Sequence, residues 1–565
     1  MRLIVIGAVA AGTSAAAKAR RNTEDAEIVV YEKDSFISYS GCGMPYFIGG
    51  DVARAEDLTP RDPAFFKSKY NIDIFTQHEV LAVHPDSRTL DIINHVTGER
   101  FTDRYDTLIL ATGASSIMPH IPGASAGNVF MLRNISDMLQ IYSFLLEKVP
   151  ESAVIIGTGF IGLELCENLT ARGIRVTMIE KMDQVSPGLD PDISVYVEQR
   201  LKANKIEVYK SAEVTKIAAG KGAGNAPDDT GTDVVLADGR NIRGDLIIMS
   251  VGVRPEVTLA REAGIVVGTT GAIQVDTYMR TSVPDIYACG DCAEQFNIVT
   301  NKPIYRPLGS TANKTGHIAG DNASGGSVEF RGILGTGIYR IFGLAVARTG
   351  LSEKEALAEG YNIEVCHNIK PSKPEYMGGR DLLIKAVADR ADGRILGVQI
   401  VGEDGVDKRI DVFVTAITFK ARASDLFHLD LAYAPPFSTT KDPVMYTGMI
   451  LDNAIRKGRR LIRAADLDKL QKNGSTVQLI DTRSAAQYQK KHIDKAENIP
   501  HEKLRGAAAS LDPDILTVTY CNKGVTGNAA QNILINQGFR EVFNLSGGNN
   551  TYENYCEAKG FGENA

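Results

Sequence analysis

One local pattern occurs twice in this chain of 565 residues and constrains its fold more than any other feature. A short apolar run leads into a glycine-containing turn and a helix, and a second β-branched run then ends at a glutamate. The first copy spans residues 3–32, with its predicted helix at 10–21, and the second spans residues 153–180, with its predicted helix at 160–171. Strand–helix–strand units of this kind build parallel sheets, so we expect two Rossmann-like domains in an α/β fold.

The turn of the second copy has a complete G-x-G-x-x-G pattern. Gly157 permits the tight turn, Gly159 lets the backbone approach a pyrophosphate at the helix N-terminus, and Gly162 allows close packing of helix on strand. Glu180 ends the next strand, where a carboxylate accepts hydrogen bonds from ribose hydroxyls and repels a 2′-phosphate. Lys181 follows and weakens this discrimination slightly. The pattern therefore predicts a site that prefers NADH to NADPH.

The first copy departs from this pattern, because Val9 stands at the position of the middle glycine. Alone, this turn is equally consistent with a nucleotide site and with a simple tight turn between strand and helix. Two later apolar strands are predicted to end at Gly113 and Gly252, and a third leads to Gly290, which Asp291 follows. An acid just after a strand is positioned to bind a sugar-like chain. These strands favour a second nucleotide site.

The arrangement resembles the two-dinucleotide-binding flavoprotein disulfide reductases over residues 1 to about 450. In that family the N-terminal Rossmann unit holds FAD and the inserted unit holds NAD(P)H. The resemblance implies that Glu32 contacts the adenosine ribose and that Asp291 contacts the ribityl and pyrophosphate end. The full set of expected FAD contacts is Gly7, Gly12, Glu32, Thr112, Gly113 and Asp291.

The segment SYSGCGMPYF around Cys42 indicates one branch of this family. Members of the glutathione reductase type have a C-x4-C redox disulfide, but here Phe47 occupies the second cysteine position. The segment resembles the single-cysteine enzymes: coenzyme A disulfide reductase, NADH oxidase and NADH peroxidase. One thiol can cycle through a mixed disulfide, a persulfide or a sulfenic acid. A buried structural cysteine is the alternative.

Two tyrosines favour coenzyme A (CoA) chemistry over oxygen chemistry. The segments LAYAPPFS, with Tyr433, and KPEYMGG, with Tyr376, resemble dimerisation-domain motifs of coenzyme A disulfide reductases. The resemblance implies a homodimer in which both phenols reach the active-site thiol across the interface. A phenol can donate a hydrogen bond to a thiolate and protonate a leaving one. Two ordinary interface tyrosines are the alternative.

A CoA site should be basic, because CoA carries a 3′-phosphate and a pyrophosphate. Lys18 and Arg21 lie three residues apart on the first predicted helix, on neighbouring faces, and correspond to basic positions of the family. Ser38, in the segment before Cys42, is a further candidate for substrate binding. A solvated helix face is the alternative for the two cations.

Residues 465–565 resemble a rhodanese domain. The segment TVTYCNKGVTG gives an apolar strand that ends at Cys521, followed by a glycine-containing loop. Such a loop forms an anion-binding concavity that stabilises a thiolate or persulfide. Rhodaneses commonly have C-x-x-G-x-R, but Thr526 occupies the arginine position and Lys523 is the only cation in the loop. We therefore expect poor use of thiosulfate. An inactive regulatory module is the alternative.

The predicted architecture is α/β, with two Rossmann-like dinucleotide-binding domains, an α+β dimerisation domain and a C-terminal α/β rhodanese domain. A segment rich in Gly, Ala and Asp, at 218–233, lacks periodicity and is expected to be an exposed loop. The expected domains are FAD-binding at 1–115 and 245–325, NADH-binding at 116–244, dimerisation at 326–450, a linker at 451–464 and rhodanese at 465–565.

Composition narrows the range of partners. With 62 Lys and Arg against 69 Asp and Glu, the net charge is -7, which argues against general nucleic-acid binding. No apolar run approaches the ~20 residues that span a bilayer, and the N-terminus lacks the pattern of a signal peptide. No cysteine or histidine cluster has metal-ligand spacing. We expect a cytoplasmic protein with free thiols and no membrane contact.

Residues and resemblance together predict an NADH- and FAD-dependent reductase of CoA persulfide and CoA disulfide. Cys42 would carry the redox step, and Cys521 would relay sulfane sulfur. Two alternatives stay open. One is an NADH oxidase or peroxidase that uses a cysteine sulfenic acid, and the other is a sulfur-carrier or sensing module that delivers persulfide to a partner protein.

Overall fold

A computed structural model describes residues 1–219 and 231–563 of the chain. These residues form two compact units. The first contains Met1–Lys181 and Ile206–Gly335, and the second contains Met182–Lys205 and Thr336–Ala565. Within the described ranges, no helix combines the length and apolar character needed to cross a membrane.

The N-terminal Rossmann-like sheet of the first unit has five parallel strands. The central strand, Arg2–Ile6, pairs with the second strand of the repeat on one side and with a much later strand on the other. Its residues after Arg2 are buried, as expected of a parallel strand covered on both faces. The spatial order is Ile286–Ala288, Thr107–Leu110, Arg2–Ile6, Glu27–Tyr31 and Asp73–Phe75.

The second Rossmann-like sheet of this unit repeats the design, and all its pairs are again parallel. Its order is Glu207–Tyr209, Arg175–Ile179, Ser152–Ile156, Leu246–Met249 and Val129–Phe130. The prediction that strands end at Gly113 and Gly252 is wrong by three residues, because strand pairing stops at Leu110 and at Met249. The three residues that follow each strand belong to the loop after it.

The helices of the first unit begin and end close to the predicted positions. The helix of the second repeat is found at its predicted bounds, Phe160–Ala171, and that of the first repeat extends one residue further than predicted. A capping box between Asn134 and Asp137 starts a third long helix. The set is Ala10–Asn22, Met44–Gly49, Pro63–Tyr70, Ile135–Lys148, Phe160–Ala171, Thr258–Glu262 and Gly309–Ala323.

Antiparallel strands complete the first unit and correct one prediction. Ala218 pairs with Asp233 and Ala219 with Thr232, so the expected loop at 218–233 is wrong at both ends. The buried Thr232 anchors the returning strand, and residues 220–230 lie outside the described part of the chain. The antiparallel strands are His78–His84, Thr89–Asn94, Arg100–Arg104, Val214–Ala219, Thr232–Leu236 and Asn241–Gly244, with short pairs Ala114–Ser116 and Val253–Pro255, and Gln295–Phe296 and Pro303–Ile304.

The second unit contains one antiparallel and one parallel sheet. The antiparallel sheet has the order Gly337–Ile341, Leu344–Gly350, Ile395–Gly402, Asp381–Asp389 and Ile363–Pro371. The parallel sheet has the order Leu461–Ile462, Val542–Leu545, Thr517–Tyr520, Gln478–Asp481 and Glu497–Asn498. The parallel sheet contributes to two apolar clusters, one containing Ile480 and the other Val518, as in an α/β sandwich.

Helices cover both sheets of this unit, and the whole arrangement confirms the predicted fold class. The segment predicted as a linker contains the end of a helix and the short strand Leu461–Ile462, which pairs with Val542–Leu545. The helices are Pro191–Ala203, Glu353–Ala358, Val406–Thr418, Ala423–Leu426, Pro443–Arg456, Ala464–Lys472, Ala485–Lys490, Leu504–Ala507, Val525–Asn536 and Gly548–Glu563.

Candidate active site

The first Rossmann turn is closed by backbone contacts that leave no room for a side chain at Gly7 or Gly12. Gly7 has a φ of +103°, and a Cβ there would collide with the carbonyl oxygen of Ala111. A Cβ at Gly12 would collide with the carbonyl oxygen of Gly7. Glu32 accepts hydrogen bonds from the N–H groups of Ala8, at 2.7 Å, and Asp34, at 3.0 Å. Burial raises the pKa of Glu32, and these two bonds oppose that shift.

The second turn has the same geometry. Gly157 has a φ of +105°, and a Cβ at Gly162 would collide with the Gly157 carbonyl oxygen. Glu180 accepts from the N–H of Thr158 at 2.9 Å, the same bond that Glu32 makes in the first turn. A Cβ at Gly159 would meet no heavy atom within 4 Å, so this part of the turn is open to a ligand.

Both turns fit dinucleotides. Each buried carboxylate holds the turn with some of its acceptor sites, and a carboxylate has about four, which leaves capacity for ribose hydroxyls. The open backbone at Gly159 and the helix that follows it match the requirements of a pyrophosphate. Val9 immediately precedes its helix, and the turn keeps the φ of the complete pattern, so valine is compatible with this turn.

Asp291, predicted to face FAD, is joined to the Thr112–Gly113 loop by Arg133. The Arg133 guanidinium donates to the Asp291 carboxylate at 3.1 Å and to the carbonyl of Ala114 at 2.7 Å. The hydroxyl of Thr112 donates to the carbonyl of Glu256 at 2.7 Å. The structure thus brings the predicted residues at 112, 113 and 291 together, through an arginine that sequence reasoning missed.

Cys42 is the exposed centre of a single 3-10 turn, Gly41–Gly43, which leads into the helix Met44–Gly49. Although the residue as a whole is exposed, partial burial of its sulfur raises the pKa of Cys42. The charges of Glu164 and Asp291 raise this pKa further, whereas the charge of Arg133 lowers it. The protein alone therefore favours the thiol over the thiolate. The location of Cys42 within electrostatic range of Asp291 fits the predicted redox position.

Glu164 is a second candidate that sequence reasoning missed. It lies on the helix Phe160–Ala171 and accepts a hydrogen bond from the Tyr46 hydroxyl at 3.3 Å. Burial raises the pKa of Glu164 to about 7, against the effect of this hydrogen bond. The one sequence signal is an acid within an otherwise apolar stretch of helix. A carboxyl group that titrates near neutral pH beside Cys42 can control the charge around the sulfur.

The predicted substrate-binding residues differ in their surroundings. Lys18 is ion-paired with Asp321 at 2.9 Å, so part of its charge is neutralised within the protein. Arg21 is exposed on the same helix. Ser38 has a φ of +48°, and its N–H donates to the carbonyl of Ala8 at 2.9 Å. This bond ties the segment before Cys42 to the first Rossmann turn.

The two predicted tyrosines and the C-x-x-C pair that flanks Gly290 and Asp291 differ in exposure. Tyr376 and Tyr433 are 76% and 48% exposed, so their hydroxyls are accessible in the single chain. Cys289 and Cys292 are fully buried, and the Cys292 sulfur donates to the carbonyl of Cys289 at 3.2 Å. Burial raises the pKa of both thiols. This environment agrees with a packing role for the pair.

Cys521 follows the strand Thr517–Tyr520, as predicted, and precedes the helix Val525–Asn536. Its carbonyl oxygen accepts from the N–H of Asn549 at 2.8 Å, and a Cβ at Gly548 would collide with the same oxygen. Gly524 has a φ of +86°, which lets the loop turn into the helix. The loop is thus held between a helix N-terminus and the segment that begins at Ser546.

Family models match almost the whole chain. The model for pyridine nucleotide-disulphide oxidoreductases covers residues 1–307, the model for the dimerisation domain of that family covers 339–443, and a rhodanese-like model covers 463–555. The chain therefore belongs to the pyridine nucleotide-disulphide oxidoreductases, with a rhodanese-like domain at its C-terminal end. It is an oxidoreductase of the class whose members use FAD and NAD(P)H, and the resemblance found in the sequence is confirmed.

Among the relatives of this chain are oxidoreductases whose names refer to coenzyme A or to persulfide. The NAD(P)H sulfur oxidoreductase (CoA-dependent) of Pyrococcus furiosus is 35% identical over 453 residues, which are 80% of this chain and 99% of the relative. The crystal structure of reduced Bacillus anthracis CoADR-RHD superposes with a TM-score of 0.94 at 35% identity, over 98% of each chain. A NAD-dependent persulfide reductase from A. fulgidus has a TM-score of 0.88 at 35% identity, over 98% of this chain and 100% of that one.

Proposed function

We propose that this chain is an NADH-dependent reductase of CoA persulfide and CoA disulfide, and that Cys521 relays sulfane sulfur to CoA. The observation that carries the proposal is the presence of two different cysteine sites in one chain. Cys42 lies beside Asp291 at the first Rossmann site, and Cys521 lies in a rhodanese-like loop. Their covalent linkage raises the effective concentration of one site near the other.

Cys42 performs the redox step through one mixed disulfide. Its thiolate attacks the sulfur of CoA persulfide that is bonded to CoA, forms a Cys42–CoA disulfide and releases hydrosulfide. FAD bound in the first unit supplies the path by which an electron pair from NADH reaches this disulfide. Two electrons and one proton then regenerate the thiolate and free CoA. The sum is NADH, one proton and CoA persulfide giving NAD⁺, CoA and hydrogen sulfide, and CoA disulfide is reduced in the same way to two CoA.

Tyr376 and Tyr433 assist proton transfer to sulfur in a homodimer. The family match to a dimerisation domain over residues 339–443 supports this assembly. Both tyrosines are exposed in the single chain, where a phenol could reach a thiol of the partner subunit. A phenol that donates to the sulfur lowers the cost of a thiolate that the surrounding acids disfavour.

CoA is held by the segment around Cys42 and by the basic face of the first helix. Arg21 is exposed and can meet a phosphate, while Lys18 must share its charge with Asp321. Ser38 positions the backbone before the thiol through its bond to Ala8.

The proposed limits of the four domains are those expected from the sequence.

NADH is the proposed reductant in preference to NADPH. Glu180 is buried at the ribose end of the second turn, and the neighbouring Lys181 is paired with Glu213 at 2.7 Å, which reduces its attraction for a 2′-phosphate. We expect kcat/KM for NADH to exceed that for NADPH by about ten-fold or more, because the 2′-phosphate of NADPH would meet the negative charge of Glu180. Equal or higher kcat/KM with NADPH would contradict this assignment.

The direct test is anaerobic turnover of the full-length enzyme with NADH and CoA persulfide. The proposal predicts one sulfide and one CoA for each NADH oxidised, and a CoA adduct on Cys42 in mass spectra of the enzyme before it is reduced. Rapid NADH oxidation by oxygen or peroxide without CoA, combined with little sulfide release, would instead assign the enzyme to the oxidases and peroxidases. Transfer of labelled sulfur from Cys521 to another protein would support a carrier module.

A further inference from the structure

The Cys521 loop has little positive charge of its own. Lys523 is the cation within the loop, and its ammonium forms an ion pair with Asp381 on a neighbouring strand of the antiparallel sheet. Thr526 occupies the position where the rhodanese pattern has an arginine. A persulfide, or the charged sulfur donor that delivers it, needs a cation to offset its negative charge. The structure offers one from outside the rhodanese-like domain.

The strand Ile363–Pro371 of the antiparallel sheet packs against the segment that holds the Cys521 loop. The N–H of His367 donates to the hydroxyl of Ser546 at 2.8 Å, and its Nδ1 lies 3.1 Å from the same oxygen. Three residues after Ser546, the N–H of Asn549 donates to the carbonyl oxygen of Cys521. One continuous segment thus contacts both the strand and the cysteine.

Buried charges fix this strand in place. His367 Nε2 lies 2.6 Å from the carboxylate of Asp192, which also accepts from the ammonium of Lys385 at 2.8 Å. Lys385 is 1% exposed and contacts Asp190 and Glu353 as well, at 3.1 Å and 2.8 Å. A buried network of this kind has strict geometry, because each unpaired charge would be costly. The position of the strand beside the cysteine loop is therefore specified.

Lys370 lies near the end of this strand, three residues after His367. Its ammonium is 4.1 Å from the ring centroid of Tyr446, a cation–π contact that holds the half-buried side chain. Lys370 pairs with Leu382, next to Asp381, the partner of Lys523. The pKa of Lys370 is lowered by burial and by the charge of Lys523, and the charges of Cys521 and Asp381 oppose this shift. The end of this strand and the Cys521 loop are thus joined through the Asp381–Lys523 ion pair, and the charge of Cys521 acts on the Lys370 ammonium.

We propose that Lys370, from the dimerisation domain, supplies the positive charge that stabilises anionic sulfur at Cys521. It replaces the arginine that this loop lacks and acts on a thiolate, a persulfide or an anionic sulfane donor. Lys523 is held by Asp381 and contributes less. The inference rests on the proposed role of Cys521 as a sulfur carrier, and it makes that role depend on contact between the two domains.

The test compares a charged and a neutral alkylating reagent at Cys521 in the full-length protein. Iodoacetate and iodoacetamide react with the same sulfur, and peptide mass spectrometry reports each rate at Cys521 separately from the other thiols. Lys370→Gln should lower the ratio of the iodoacetate rate to the iodoacetamide rate by about five-fold, because it removes one nearby charge. Lys370→Arg should keep the ratio of the wild type.

Lys472→Gln is the matched control, since it removes the same charge from a lysine that pairs with Asp468. This variant should leave the ratio unchanged. A ratio in Lys370→Gln that stays at the wild-type value would overturn the proposal, because a purely structural effect cannot distinguish the two reagents. The reagents need no sulfur transfer, so failure of the relay would show separately, as sulfide release that does not depend on Cys521.

Discussion

Cys42 and Cys521 each lie in a short turn before a helix, but the balance of nearby charges differs between them. Carboxylates of Glu164 and Asp291 act on Cys42, and they raise the pKa of its thiol together with burial. Near Cys521 lie two cations, Lys523 in the loop itself, where it pairs with Asp381, and Lys370, on which the charge of Cys521 acts. Cys42 is also exposed, whereas Cys521 is buried.

The difference indicates two kinds of sulfur chemistry. Burial and the nearby acids favour the protonated thiol of Cys42, and in the function we propose it gains its reactivity when substrate and the phenols of the partner subunit complete the site. At Cys521, a nearby cation would offset the negative charge of a stored persulfide, which is the role we propose for Lys370. If these roles are as proposed, one chain separates reduction from storage, and a change at one site should leave the other reaction intact.

The largest effect is expected from Cys42→Ser. A hydroxyl cannot form a mixed disulfide, so CoA-disulfide reduction should fall by about three orders of magnitude or more, while FAD stays bound and is still reduced by NADH. The measurement is NADH oxidation with CoA disulfide, alongside the flavin absorbance. Cys556→Ser removes the other exposed thiol and should have no effect. Persistent turnover in Cys42→Ser would transfer the redox role to another cysteine.

A smaller effect is expected when a cation is added at the second site. Thr526→Arg should raise sulfide release from thiosulfate, with NADH and CoA present, by about ten-fold, because a charge-assisted hydrogen bond is worth roughly 1.5–3 kcal/mol. Thr526→Gln adds similar length without charge and should change little. If both variants respond alike, charge at this position does not limit the reaction.

The smallest effect concerns the acid beside Cys42. Glu164 is negatively charged only above its pKa of about 7, so only there does it disfavour the Cys42 thiolate. Glu164→Gln should therefore speed alkylation of Cys42 by about three-fold above pH 7, and the rates should converge with those of the wild type as pH falls below that value. The exposed Glu151 offers a control, Glu151→Gln. An acceleration that is equal at all pH values would refute the electrostatic explanation.

The sequence predicts the Rossmann repeats closely because local patterns determine them. Glycine spacing, apolar runs and a terminal glutamate are all within about 30 residues, and the helix Phe160–Ala171 has its predicted bounds. The strand ends within the expected loop at 218–233 are harder to predict, because a strand that ends in Ala218 and Ala219 lacks the alternation of apolar and polar residues that marks a strand.

Residues that act from other elements are not predictable in this way. Arg133 and Glu164 are 91 and 122 residues after Cys42 in the sequence, and the fold of the first unit brings their charges close enough to affect its pKa. Lys370 is 151 residues before Cys521, and only the packing of its strand brings it near the sulfur. Motifs identify the two cysteines, whereas the charges that distinguish them come from the tertiary structure.

The most direct test of two separate sulfur sites is Cys521→Ala, with two reactions measured in parallel on the full-length enzyme. The loop has no direct path to the electrons from NADH in this account, so reduction of CoA disulfide should stay near that of the wild type. Sulfide release from a sulfane donor that must first load the rhodanese-like domain should fall by about 100-fold. Loss of CoA-disulfide reduction as well, or donor-dependent sulfide release that stays unchanged, would contradict the division between reduction at Cys42 and storage at Cys521.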